Sequence, residues 1–154
     1  MTNSELINKF YESFACADAE GMVSCYADEI IFTDPAFGEL HGEDAKNMWR
    51  MLIKSSKGEI KISFNRVNAD DKTGSANWVA EYVFSKTGRQ VINKISAQFE
   101  FQNGKIIRHT DHFDLWRWSQ QALGLTGYLL GWSSFMKNKI QKQTKSLLKT
   151  HTKK

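Results

Sequence analysis

Residues 32–42 read FTDPAFGELHG. They follow directly on Glu29-Ile30-Ile31, so a β-rich run ends in an aspartate, Asp34, and then in Pro35, the one proline of the 154-residue chain. Proline has no N–H and a fixed φ, and it biases the residue before it toward extended geometry. Asp34 is therefore expected at a strand end, on the same side as Phe32, because strand side chains alternate between faces. Two roles fit this placement. Asp34 can bond backbone amides within its own turn, as aspartate before a turn often does. Alternatively, the strand end aims the carboxylate into an apolar cavity, where the Phe32 ring strips water from it.

The segments on either side say what surrounds this turn. Thr2-x-x-Glu5 has the form of a capping box, and Leu6, Phe10, Tyr11 and Phe14 recur at helical spacing, which predicts an amphipathic helix over residues 4–16. Asp18 is placed to cap a second short helix through AEGMVSCYA, residues 19–27. After the turn, Gly42-Glu43-Asp44 opens a third helix, with acids in the first turn where the helix dipole favours them and an apolar stripe of Met48, Trp49, Leu52 and Ile53. From residue 58 the period changes to two. EIKISFNRVNA, SANWVAEYVFS, RQVINKISAQFEF and KIIRHTDHFDLW alternate apolar and polar residues, with turns at Thr87-Gly88 and Asn103-Gly104. Helix, helix, short strand, helix and then a meander predicts an α+β domain, helices packed on one face of a curved antiparallel sheet of four to six strands.

Composition fits one globular domain, with 41% hydrophobic and 25% charged residues. Cys16 and Cys25 are too few for a disulfide framework or a metal site and are expected to be small core residues. The expected compartment is the cytoplasm, because neither a leader nor a run of apolar residues long enough to span a bilayer is evident. Charge is uneven. Residues 1–114 carry 13 Lys and Arg against 17 Asp and Glu, whereas residues 115–154 carry 8 and none. An acidic body with a basic tail is not the pattern of a nucleic-acid-binding protein. The expected division is a body over residues 1–116 and a basic helical extension over 117–154, in which residues 126–150 form an amphipathic helix. That helix is expected to pack on the body or a second subunit, and its lysines make it a candidate for contact with an anionic membrane surface.

The second place able to carry chemistry is RHTDHFD, residues 108–114. Alternation places Ile107, His109, Asp111 and Phe113 on one face, with Arg108, His112 and Asp114 on the other. The apolar bookends imply that His109 and Asp111 point inward. A carboxylate in an apolar cavity has its pKa raised by desolvation, and a second carboxylate nearby raises it further, which makes an acid or base for neutral pH. A satisfied structural His–Asp pair is the competing reading. His109, Asp111 and His112 are close in sequence, but alternation separates His112 from the other two, so no metal site is expected. Gly-rich phosphate loops and nucleophile elbows are absent, and no cofactor is expected.

The order helix, helix, YADEIIFTDPAFGELHG, helix, meander resembles the cone-shaped superfamily of nuclear transport factor 2, ketosteroid isomerase and SnoaL-like polyketide cyclases, over roughly residues 4–116. The resemblance implies a cone whose pocket is lined by Phe32, Trp49, Trp78, Tyr82, Phe84, Ile95 and Phe113 and takes a small hydrophobic ligand. In the isomerases the aspartate of a similar turn is the general base, which corresponds to Asp34. The isomerases' helix tyrosine falls at Phe10, with Tyr11 one step away, and their second acid falls near Ala97, so that pair is not reproduced. His109 and Asp111 instead look like the SnoaL-type arrangement, with an acid deep in the cone. Two functions are implied: a cofactor-independent isomerase, cyclase or hydrolase using Asp34, His109 and Asp111, or a non-catalytic binding or interaction module on the same fold. The resemblance also implies a homodimer paired through the outer face of the sheet.

Overall fold

A computed structural model describes residues 1–84, 86–124 and 134–152. Helix α1, Asn3–Ala15, begins with the expected capping box. Thr2 Oγ1 accepts from the Glu5 amide (3.1 Å), and the Thr2 amide donates to the Glu5 carboxylate (3.4 Å). Leu6, Ile7, Phe10, Tyr11 and Phe14 are all buried. Helix α2, Ala19–Val23, is shorter than its apolar spacing predicts. Asp18 caps it, but the chain is already extended at Tyr26, where strand β1, Tyr26–Asp34, begins. Past Pro35 the chain does more than turn. Strand β2, Gly38–His41, folds back on β1 with Asp34 opposite Gly38 and Phe32 opposite Leu40. Helix α3, Glu43–Ser56, then buries Ala45, Met48 and Trp49.

The meander forms as the alternation predicts: β3, Lys61–Ala69; β4, Thr73–Phe84; β5, Arg89–Gln102; β6, Lys105–His112. Along β5 burial alternates without a break, with Val91, Asn93, Ile95, Ala97, Phe99 and Phe101 inward. Asn103 and Gly104, both at positive φ (54° and 75°), make the tight turn into β6. Six strands form one curved, unclosed sheet in the order β2-β1-β6-β5-β4-β3, antiparallel except where β1 lies parallel to β6. Helices α1 and α3 supply the other side of the core, where Phe10, Phe14 and Trp49 meet Phe32, Trp78 and Phe99.

One inward face differs from strict alternation. The β5–β6 register slips between Glu100 and Phe101, so Phe101 pairs with Ile106 while Glu100 pairs with Arg108. The bulge leaves Ile107 unpaired, and it is Ile106, fully buried, that shares the interior with His109 and Asp111. The expectation that Ile107 is the inner bookend is corrected accordingly, because an extra residue in a strand shifts everything before it to the other face. On the outer face, where pairing of two copies is expected, Gln98, Glu100, Arg108 and Thr110 edge a shallow groove of about 250 Å³.

Two helices follow the sheet. Helix α4, Leu115–Leu123, is capped by Asp114 and packs on β5, with the Gln121 side chain accepting from the Ile92 amide (2.7 Å). Of the tail helix expected over 126–150, residues 126–133 lie outside the described residues, and Ser134–Thr152 form helix α5. Its Ile140 and Leu148 are buried against the body, while Lys137, Lys142 and Lys149 are exposed. No helix among the described residues is long and apolar enough to cross a membrane.

Candidate functional site

Parallel pairing of β1 with β6 brings the two stretches singled out in the sequence side by side. Phe32 pairs with His109 and Thr33 with Thr110, which brings the end of β1 at Asp34 to the part of β6 that carries Asp111, and the charge of Asp111 is felt at Asp34. Adjacent strands lie about 4.8 Å apart. Both aspartates follow, at a spacing of two, residues that are fully buried in the core, and so share the inner face with Phe32 and His109.

Asp34 serves its turn and faces the site at once. Its Oδ1 accepts from the amides of Ala36 (2.9 Å) and Phe37 (2.6 Å). The side chain keeps some surface open to solvent, yet the atoms packed round its carboxyl push its pKa up to about 7. Burial is the main cause and the charge of Asp111 adds to it, while the two amides pull the other way. Asp34's charge is in turn felt by the hydroxyls of Tyr26 and Tyr82.

Behind Asp111 runs a chain of buried hydrogen bonds. Trp49 Nε1–H donates to the Tyr26 hydroxyl (2.9 Å), which lies 2.7 Å from His109 Nδ1. His109 Nε2 lies 2.8 Å from Asp111 Oδ1, and Trp78 Nε1–H donates to that same oxygen (3.3 Å). An indole N–H can only donate, so Tyr26 accepts from Trp49, and giving its own hydrogen to Nδ1 is the assignment that leaves no buried donor unused. The tautomer of His109 with hydrogen on Nε2 then donates to Asp111, and every donor is used. The imidazole is fully buried, with Phe99 at 4.5 Å, Phe32 at 5.0 Å and Phe10 at 5.4 Å between ring centres. In this apolar shell, loss of any one partner strands the others.

The pocket residues expected from the resemblance fall into two groups. Phe32, Trp49, Trp78 and Ile95 are buried core around the polar chain. Tyr82, Phe84 and Phe113 are half-buried and meet α4 and its neighbourhood: Trp118 Nε1–H donates to the Tyr82 hydroxyl (2.7 Å), its ring sits edge-on to Phe84, and Phe113 touches both the main core and the Leu115–Ile140 cluster. Ala97, where the isomerases carry their second acid, pairs with Asp111 across β5 and β6. A methyl at position 97 leaves room for the Trp78 indole, on the far side of it in β4, to reach Asp111. His112 and Asp114 are exposed, and among the described residues no group of three or more His, Cys, Asp or Glu is arranged to hold a metal.

Three buried polar residues of the interior are not assigned to the site by sequence reasoning. Tyr26 fits a helix by its spacing from the apolar residues Met22 and Val23, and so escapes notice as a strand residue. Tyr11 reads as one more residue of the apolar stripe of α1. Its hydroxyl is fully buried without a hydrogen-bond partner. Burial raises its pKa well above the ordinary value, and the charge of Asp111 raises it further, which puts the hydroxyl on the side of the carboxylates. Asn93 is the one amide in the inward row of β5, opposite Ala80, a position that the alternation of VINKISA marks directly.

The class is defined by the fold: an α+β cone, a curved six-stranded sheet and helices round a mainly apolar interior in which His109 and Asp111 are buried. The chain belongs to the SnoaL-like domain family, whose model matches residues 7–109. Similar solved structures include a candidate polyketide cyclase from Pseudomonas putida KT2440, 20% identical over 79% of this chain and 98% of that one, with a TM-score of 0.63. An LEH-like epoxide hydrolase from M. tuberculosis is 16% identical over 83% and 96%, with a TM-score of 0.62. A protein from a soil-derived mobile gene cassette, Bal32a, is 20% identical over 77% and 95%, with a TM-score of 0.65. At these identities the likeness is one of fold. No curated protein sequence matches the chain.

Proposed function

We propose that this protein binds a small hydrophobic, ring-containing molecule in the cone and moves a proton on it without a cofactor, as an isomerase, cyclase or hydrolase does. The observation that carries this reading is the raised pKa of Asp34 at the end of β1, to which the charge of Asp111 on the neighbouring strand β6 contributes. Asp111 takes two N–H donors on one oxygen, from His109 and Trp78. Asp34 takes and releases its proton near pH 7. A carboxyl that does so is what acid–base catalysis at neutral pH requires. The unpaired hydroxyl of Tyr11, from α1, supplies a donor for a ligand oxygen near the carboxylates.

Chemical-shift titration of the Asp34 carboxyl tests the reading. A midpoint near 7 is expected, whereas a midpoint near the ordinary carboxylate value of about 4 leaves no base to work at neutral pH and overturns it. A second expectation concerns Tyr11. A buried hydroxyl with no partner costs stability, so Tyr11→Phe should raise the unfolding free energy of the free protein by about 1 kcal/mol. A loss of stability instead would mean that the hydroxyl is paired within the protein and is not held for a ligand.

The exposed lysines of α5 favour a second, separate role, contact with an anionic membrane. With Ile140 and Leu148 occupied by the body, such contact rests on Lys137, Lys142 and Lys149 and is electrostatic. Sedimentation with anionic vesicles should then disappear between about 0.1 and 0.5 M salt. Equal sedimentation with anionic and zwitterionic vesicles sinks this reading.

A further inference from the structure

Helix α5 lies beyond the stretch matched by the family model, yet it rests on the turn that carries Asp34. Gln141 Nε2–H donates to the Pro35 carbonyl (3.0 Å), and Thr144 Oγ1–H is shared between the Ala36 carbonyl (2.6 Å) and, at longer range, the Gln141 carbonyl of its own helix (2.9 Å). Ala36 and its successor Phe37 present their amides to Asp34 Oδ1 from the other side of the chain. The peptide units behind the carboxylate are therefore held at both ends, by Asp34 through N–H and by α5 through C=O.

Close approach of the helix is built into the sequence of the turn. Gly38 has φ of +72°, a conformation that residues with a Cβ adopt at a cost. A Cβ there would stand 3.2 Å from Gln141 Oε1 and 3.3 Å from Lys145 Nζ, tighter than side chains ordinarily pack. Leu148, one turn on from Thr144, is buried in the main core, and Ile140, one turn before it, is buried with Leu115 in the smaller cluster that touches Ala36. Residues 140, 141, 144 and 148 form one stripe at helical spacing, half apolar anchors and half donors to the turn.

We propose that α5 is a strap that belongs to the site, in which Gln141 and Thr144 are positioning residues that hold the 35–37 backbone so that Asp34 stays on the inner wall beside Asp111. This rests on the reading of Asp34 as the proton-transferring group. Without the two donors, the Pro35 and Ala36 carbonyls turn to water, the turn opens, and water reaches the carboxyl. Asp111 from β6 is the charged group that shifts Asp34, and Lys145 of α5, close to Gly38 opposite Asp34, keeps its charge when Gln141 and Thr144 are replaced. An effect of α5 substitutions on Asp34 must therefore pass through the backbone and through solvent access, not through direct charge.

The test is amide hydrogen exchange and pH titration on the full chain, comparing wild type with Gln141→Leu/Thr144→Val and with Thr144→Ser, which keeps the hydroxyl. In the double variant the Ala36 and Phe37 amides should exchange at least about tenfold faster, while the amides of β5 keep their protection. Thr144→Ser should behave as wild type. The proton affinity of Asp34, followed through the same two amide shifts, should fall by at least about tenfold in the double variant relative to wild type. Unchanged exchange at Ala36 and Phe37 overturns the proposal, as does faster exchange that spreads to β5, because that is general loosening and not a strap. The wild-type midpoint of Asp34 alone decides the catalytic reading, so failure of one is distinguishable from failure of the other.

Discussion

Asp34→Asn should abolish proton transfer and leave the protein at least as stable as wild type above pH 7. The amide keeps the shape of the carboxyl, and its oxygen can accept from the Ala36 and Phe37 amides as Asp34 Oδ1 does. What it cannot do is take up a proton. With a cyclic ketone such as 2-tetralone as a probe, uptake of deuterium at the carbon next to the carbonyl should fall by about 10²–10⁴-fold, the range for loss of a general base. The stability expectation follows from the raised pKa. Below about pH 4 both folded and unfolded chains carry a proton on Asp34. Between about 4 and 7 the unfolded chain releases it while the folded chain holds it, so wild type loses stability as pH rises through that window. The loss is on the order of 2–4 kcal/mol if the whole shift is realised, less where water reaches the carboxyl. The asparagine variant has no such window. Urea unfolding of both proteins at pH 5 and pH 8 checks this, and a variant that loses stability relative to wild type at pH 8 would show that Asp34 is there for the turn alone.

Asp111 should show the opposite balance. Its Oδ1 is the acceptor for two buried donors, His109 Nε2–H and Trp78 Nε1–H. Asp111→Ala leaves both without a partner in an aromatic shell, at a cost of about 3 kcal/mol or more. A loss below about 1 kcal/mol would mean that the two donors do not depend on this carboxylate. Asp111→Asn separates charge from shape. The amide oxygen can still accept, so the fold should survive, but the negative charge that helps to hold the proton on Asp34 is gone. The Asp34 midpoint should fall in this variant. If it stays at about 7, the two carboxylates do not act as a pair, and Asp34 owes its pKa to burial alone.

Local signals account for much of the architecture and for each candidate side chain taken singly. The capping box at Thr2 and Glu5, the unbroken alternation from Val91 to Phe101 and the Asn103-Gly104 turn each arise from interactions among residues close in the chain, and each is legible there. Asp34 before Pro35 at a strand end is of the same kind, and so is the inward direction of His109 and Asp111. Tertiary structure decided how these pieces meet. Nothing in the period of β1 or β6 says that they lie side by side and parallel, in the register that brings Asp34 to the part of β6 that carries Asp111, because pairing between distant strands depends on what the whole sheet can bury. Tyr26 fits a helix by spacing and becomes a strand residue because Met22 and Val23 finish α2 against the core before it. The bulge that exchanges Ile107 for Ile106 is a property of the β5–β6 pair and not of either strand. Helix α5 shows lysines and a few apolar residues in sequence; only its packing discloses that Gln141 and Thr144 reach the carbonyls behind Asp34. Short-range chemistry is written in neighbouring residues, whereas the meeting of β1, β6 and α5 exists only after the chain has closed on itself.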